Sequence, residues 1–354
     1  MSIVEIHAKG DKTSSSQSGN LKPLDRSKWH HPLVSIIVTH YNYSPHLTDA
    51  LLSIVDQTHE NWECVVVDDC SITDQSATAE RIVASLGTDK IRFHPLRENV
   101  GQIPAFYAGL DQTSGEFVCL LDPDDRYAKT FLEESVRAHL NPVVYCPAVC
   151  SEQILLRNGS ITAGVFSPFN QRYMQGSEVP SEVEPRLTFF PPGAGGWQWT
   201  STSSLMLRRP ALELMRPRKK LAYKRSADSY LAQGAHALGG GLFLNRPLVY
   251  RQIHASNSWL TDELFSMDQE KRRPHRVRDK FPTRADALEA IKANGGEHHI
   301  ARRLARKSIF KRWQYSIIKR LRRATLRSSA WIFCTSVLTQ TFLAGDEAAS
   351  MLLL

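Results

Sequence analysis

From Leu33 onward the chain repeats one pattern: a short apolar, β-branched run, a polar turn, then a stretch with helical spacing. Residues 34–39 (VSIIVT), 63–67 (ECVVV), 91–94 and 116–121 (EFVCLL) are runs of this kind. A short run that is apolar at successive positions suits a strand covered on both faces. Between them, residues 47–57, 78–86 and 103–111 carry apolar residues at helical spacing, and a further helix begins near Lys129. Strands interleaved with helices need right-handed crossovers. The fold class expected is therefore α/β, a mostly parallel sheet flanked by helices. Ligands of such sheets sit at the carboxyl ends of the strands.

The polar residues collect at those ends. The first run closes in Thr39-His40-Tyr41-Asn42, the second in Asp68-Asp69-Cys70-Ser71, and the fourth in Asp122-Pro123-Asp124-Asp125. So much acid at one sheet edge repels a phosphate ligand unless a divalent cation is present. Mg²⁺ or Mn²⁺ commonly bridges one or two carboxylates to substrate phosphates. A lone D-x-D is weak evidence, because acidic turns after strands are common and usually only solvated. A phospho-receiver module also has acids at strand ends, but needs paired acids after its first strand, where Thr39-His40-Tyr41-Asn42 has none. A nucleotidyltransferase needs a glycine-rich basic loop there, and His40-Tyr41-Asn42-Tyr43 is not one.

Residues 32–258 resemble a family 2 glycosyltransferase, of the GT-A fold and inverting in mechanism. The resemblance rests on VSIIVTHYN, LLSIVDQTHENWECVVVDDCS, RENVGQIPAFYAGL, SGEFVCLLDPDD and VYRQIHASNS, which occur in the family's order. It implies a nucleotide-sugar donor, most often a UDP-sugar, and a Mg²⁺ or Mn²⁺ cofactor. It sets Tyr41 against the base, with Asn42, Asp68 and Asp69 on the nucleotide side. Asp122 is implied at the ribose or sugar, and Asp124 as a metal ligand. Arg251 and His254 match a late loop over the diphosphate, with Arg251 on the donor and His254 implied, with Asp124, as a metal ligand. The catalytic base implied is Asp228, in the segment KRSADSYL. The acceptor is a glycan, lipid-linked or protein hydroxyl, in glycan or polysaccharide assembly of the cell envelope. Trp197 and Trp199, in PGAGGWQW, suit stacking on an acceptor sugar, although core burial of either is as plausible.

Three departures stand out. The chain has Val38-Thr39-His40 where the family often has Pro-Thr, Ala105-Phe106-Tyr107 in place of an Ala-Arg-Asn group, and Ala227-Asp228 in place of an acidic pair. They keep open a relative that binds a nucleotide sugar without transferring it.

The expected organisation is a flexible tail over 1–31, a transferase domain over 32–260 and a basic helical extension over 261–354. The domain divides into a donor half, 32–126, and an acceptor half, 127–260. A composition of 42% hydrophobic and 23% charged residues supports a packed core. The six cysteines form no disulfide-framework spacing, which favours a reducing cytoplasm. The first twenty residues lack the continuous apolar stretch of a leader or anchor. Residues 330–344 are too short and polar for a span. The net charge of +8 is concentrated late: residues 299–327 hold no acid and eleven Lys or Arg. Phe310, Trp313, Ile317 and Leu321 share one helical side there. That suits either an anionic membrane surface or packing against the domain. Nothing resembling a nucleic-acid-binding motif accompanies it.

Overall fold

The computed structural model describes residues 31–142, 144–157, 160–163, 187–192, 201–254 and 282–300, with a further strand at Val4–Ile6. Trp197, Trp199 and the basic run from 301 onward lie outside the described residues.

The described strands form one mixed sheet. They are β1 (Val4–Ile6), β2 (Val34–His40), β3 (Trp62–Asp68), β4 (Ile91–Pro95), β5 (Phe117–Leu121), β6 (Asp125–Tyr127), β7 (Ala148–Arg157), β8 (Ser160–Ala163), β9 (Leu187–Phe190), β10 (Leu205–Arg208) and β11 (Gly241–Ile253). Their order is β1-β9-β11-β7-β10-β5-β2-β3-β4, with β6 on β11 and β8 on β7. Strands β4, β3, β2 and β5 run parallel, as the sequence pattern requires. Beyond β5 the sheet is mixed. β10 is antiparallel to both β5 and β7, whereas β7 and β11 are parallel. The expected tail contributes to the sheet at one point, where Val4–Ile6 pairs antiparallel with β9.

The helices are α1 (Leu47–Val55), α2 (Thr73–Ser85), α3 (Gln102–Asp111), α4 (Phe131–His139), α5 (Arg209–Leu214), α6 (Ala227–Gly239) and α7 (Thr283–Ala293). α2 begins five residues before the apolar spacing suggests. Its first turn, Thr73-Asp74-Gln75-Ser76, is wholly polar, so periodicity could not detect it. The strand pleat explains the two layers. Ile37, Val65, Val67 and Leu120 face α3 and α6, while Ile36, Val38, Cys64 and Val66 face α1 and α2. Alternate residues point to opposite faces, so apolar residues at every position bury both. α3 lies unusually close: a Cβ on Gly109 would stand 2.6 Å from Ile37 Cγ2. Among the described residues no helix is long and apolar enough to cross a membrane.

At the end of α4, His139 is buried and its ring stacks on Phe117 with centroids 4.7 Å apart. Its Nε2 lies 3.0 Å from the Met206 carbonyl and donates to it. Burial drives its pKa down to about 3, so the folded protein keeps it neutral. The unfolded chain protonates it near 6.5, so this contribution is intact above pH 6.5 and is lost as pH falls toward 3. Between pH 7 and 4.5, wild type should lose about 2–3 kcal/mol more stability than His139→Gln. Urea unfolding of both proteins at the two pH values measures it; parallel losses would refute it.

Candidate active site

The site is built at the carboxyl edge of the parallel strands. The turns that follow β2 and β3 each hold a positive-φ residue, Asn42 (53°) and Cys70 (59°), which turn the chain sharply away from the sheet. Asn and small polar residues tolerate that conformation better than branched ones. The two turns are tied together: the Asn42 N–H donates to Ser71 Oγ (2.8 Å), and Asn42 Oδ1 accepts from the Ile72 N–H (2.8 Å). His40 is buried, with Nδ1 2.8 Å from Asp68 Oδ1, and Nε2 accepts from the Tyr43 N–H at 3.2 Å. Burial alone would raise the Asp68 carboxyl, but hydrogen bonds from His40 and Ser71 outweigh it and hold its pKa below the usual value. His40 thus acts as a polar strut, which accounts for its place in the motif.

Asp69 is nearly fully buried and gathers the loop before α3. The N–H groups of Val100 and Gly101 donate to its two oxygens at 2.7 and 2.9 Å, and Asn99 Nδ2 donates at 3.0 Å. Asn42, Asp68 and Asp69 are therefore committed to loop architecture, and any nucleotide contact would be additional. Tyr41 is different. Its side chain is 51% exposed at the mouth of the edge, free to meet a planar ligand face.

The acidic turn after β5 is the centre. Asp122, Asp124 and Asp125 lie within one turn, and β6 carries Asp125 into register with Arg251 of β11. Ser203, in a 3₁₀ turn at Thr202–Ser204, accepts from the Asp122 N–H (3.1 Å) and donates to Asp125 Oδ2 (2.6 Å). The other Asp125 oxygen has no hydrogen-bond partner among the described residues. Burial and the neighbouring Asp124 push Asp122 up to about 7, and the Arg251 charge pulls the other way. Burial raises Asp124 as well, and burial with Asp124's charge raises Asp125 well above its ordinary value. Three acids here hold more negative charge than Arg251 balances.

His254 follows directly after β11. Its Nε2 is 3.1 Å from Asp124 Oδ2, the Tyr43 hydroxyl is 2.7 Å from Nδ1, and the His46 ring stacks on it at 5.0 Å. Burial lowers its pKa, which favours the neutral, ligating form. Among the described residues no three His, Cys, Asp or Glu side chains are gathered to hold an ion alone. Asp124 and His254 offer two donors beside excess carboxylate charge. Such a set fits a hard cation that completes its shell with phosphate and water.

α6 brings Asp228 to the same place. Asp228 lies in the helix's first turn, half-buried, and its charge is among those that raise Asp122. The approach depends on Gly101 (φ 92°), where a Cβ would meet Lys224 Cα at 2.9 Å. Phe106, where the resemblance looked for an arginine, is wholly buried in the core. Among the described residues, Arg251 is a cation whose charge reaches all three of these acids. Gln102, Ser203 and His46 also belong to the site and were missed by sequence reading. They lie outside the acidic turns, and only the fold brings them in.

The model of the family "Glycosyl transferase family 2" matches residues 35–176. An uncharacterized glycosyltransferase of Nostoc sp. is 29% identical over 238 residues, covering 67% of this chain and 70% of that protein. The putative teichuronic acid biosynthesis glycosyltransferase TuaG of Bacillus subtilis is 35% identical over 105 residues. That match covers 30% of this chain and 41% of TuaG, so the chain spans less than half of that relative. Among solved structures, S. aureus TarS in complex with UDP-GlcNAc is similar at a TM-score of 0.49 and 18% identity, covering 77% of this chain and 71% of that one. The matched stretch contains all three polar strand ends, and over residues 35–176 the chain is similar to glycosyl transferase family 2.

Proposed function

We propose that the protein transfers a sugar from a nucleoside diphosphate sugar, most simply a UDP-sugar, to an acceptor hydroxyl with inversion at the anomeric carbon. The observation that carries this reading is the acidic turn Asp122, Asp124 and Asp125, buried at Asp125 and half-buried at the other two, met by Arg251 and His254 from β11 and its end and by the charge of Asp228 from the first turn of α6. Tyr41 faces the base, Asp122 the ribose or sugar, and Arg251 the diphosphate. We assign donor binding to residues 32–126 and acceptor binding to 127–260. The name of the TuaG relative makes a cell-surface polysaccharide the first acceptor class to try.

Asp228 acts as general base. A sugar hydroxyl is a weak nucleophile, and proton removal as its oxygen bonds to the anomeric carbon lowers the barrier. The bond to the diphosphate oxygen breaks in the same displacement, so the enzyme needs no nucleophile of its own. Arg251 offsets the negative charge gathering on the leaving group. A Mg²⁺ or Mn²⁺ ion held by Asp124 and His254 would supply Lewis-acid stabilisation there.

Calorimetric titration with UDP, with Mn²⁺ and then with chelator, tests the donor site. Binding should require the metal and weaken at least about 100-fold in Asp124→Ala. Absence of binding to UDP, GDP or dTDP under every metal condition would sink the reading.

A further inference from the structure

We propose that Gln102 is a positioning residue, whose single amide spans the donor acid Asp122 and the opening of the helix that carries Asp228. This rests on the transferase reading above.

Gln102 is the first residue of α3, and both ends of its side chain are engaged. Nε2 donates to Asp122 Oδ1 at 3.2 Å, and Oε1 accepts from the Ala227 N–H at 3.2 Å. Its own N–H donates to the Lys224 carbonyl at 2.9 Å. The chemistry fixes which way the amide points. A backbone N–H only donates, so the amide oxygen faces Ala227 and the NH₂ is left to face Asp122.

The Ala227 N–H is one of the first-turn donors that a helix cannot satisfy internally. The residue preceding α6, Ser226, has φ 76° and makes no side-chain cap. Gln102 therefore supplies from another element the acceptor that the helix lacks. Close packing reinforces the join, because Gly101 approaches Lys224 too closely for any side chain, and the Lys224 ammonium donates to the Asn99 carbonyl at 3.1 Å. Asn99 also donates to Asp69. The chain of contacts runs from the end of β3, through the loop before α3, to the first turn of α6. An acid that touches the donor and an acid that activates the acceptor must hold a fixed separation, and small misplacements cost large factors in rate. Gln102 is the side chain that links both.

Two near-isosteric variants separate the two bonds. Gln102→Met removes both. Gln102→Glu keeps an oxygen for Ala227 but sets a carboxylate oxygen against Asp122. The readouts are amide hydrogen exchange over residues 225–231, UDP binding with Mn²⁺, and donor turnover split into kcat and KM. For Gln102→Met, exchange over 225–231 should rise about tenfold or more and kcat fall about tenfold or more. UDP affinity should stay within threefold and the melting temperature within a few degrees. For Gln102→Glu, exchange should match wild type while UDP affinity drops about tenfold. Unchanged exchange and kcat in Gln102→Met would overturn the proposal even with donor binding intact. Wild type that fails to bind any nucleotide would refute the transferase reading, while the exchange result would still decide whether Gln102 caps α6.

Discussion

Replacing Asp228 with asparagine should lower kcat by roughly 10²–10⁴-fold while leaving UDP and metal binding within a factor of about three. The expectation follows from where α6 puts this carboxylate: in the first turn, half-buried, near enough to Asp122 for the two charges to interact. Asparagine preserves shape and can accept a hydrogen bond, but it cannot take a proton. A base acts only in the chemical step, so the loss should fall in kcat and kcat/KM together rather than in donor affinity. Release of nucleoside diphosphate, followed with a panel of polysaccharide-type acceptors, measures the first quantity and calorimetry the second. A variant that turns over at the wild-type rate would remove Asp228 from the chemistry. A variant that loses donor binding instead would make it a donor contact.

The second large effect concerns stability. Phe106→Arg, which writes the family's common residue into this chain, should abolish soluble folded protein rather than improve the donor site. Phe106 is fully buried in α3, and its ring meets the Tyr107 ring edge-on with centroids 5.3 Å apart. Loss of a buried phenylalanine alone costs about 3–5 kcal/mol. An unpaired guanidinium in its place adds several more. Domains of this size hold about 5–15 kcal/mol in total, so the sum consumes most or all of it. Soluble yield and a circular-dichroism melt are the measurements. A folded variant with tighter UDP binding would mean that position 106 reaches the diphosphate after all.

These two residues show what the sequence made legible. The parallel half of the sheet was readable because strands covered on both faces are apolar at every position, as in 63–67. The acidic turn was readable because its carboxylates are adjacent in sequence. Asp228 was reached only through resemblance, since a carboxylate in a helix's first turn is otherwise unremarkable. The insertion of β10 between β5 and β7 had no local signature, because antiparallel pairing over so long a separation depends on the finished fold. Gln102 and Ser203 are ordinary polar residues whose roles come wholly from tertiary placement. His40 looked like a departure from motif until its buried contact with Asp68 supplied the reason.

The strand order also dictates a sequence of events at the ribosome. Asp124 and His254 touch although 130 residues separate them, and β11, which carries Arg251 and leads into His254, lies between β7 and β9. At ordinary translation speeds the acids emerge on the order of 10 s before Arg251, whose charge offsets part of theirs. Until then Asp122, Asp124 and Asp125 have neither their cation nor the bracket from Ser203, and the acidic turn has reason to stay in water. The cation that offsets part of the site's charge is thus one of the last things the growing chain acquires, and it arrives together with the strand that closes the second half of the sheet.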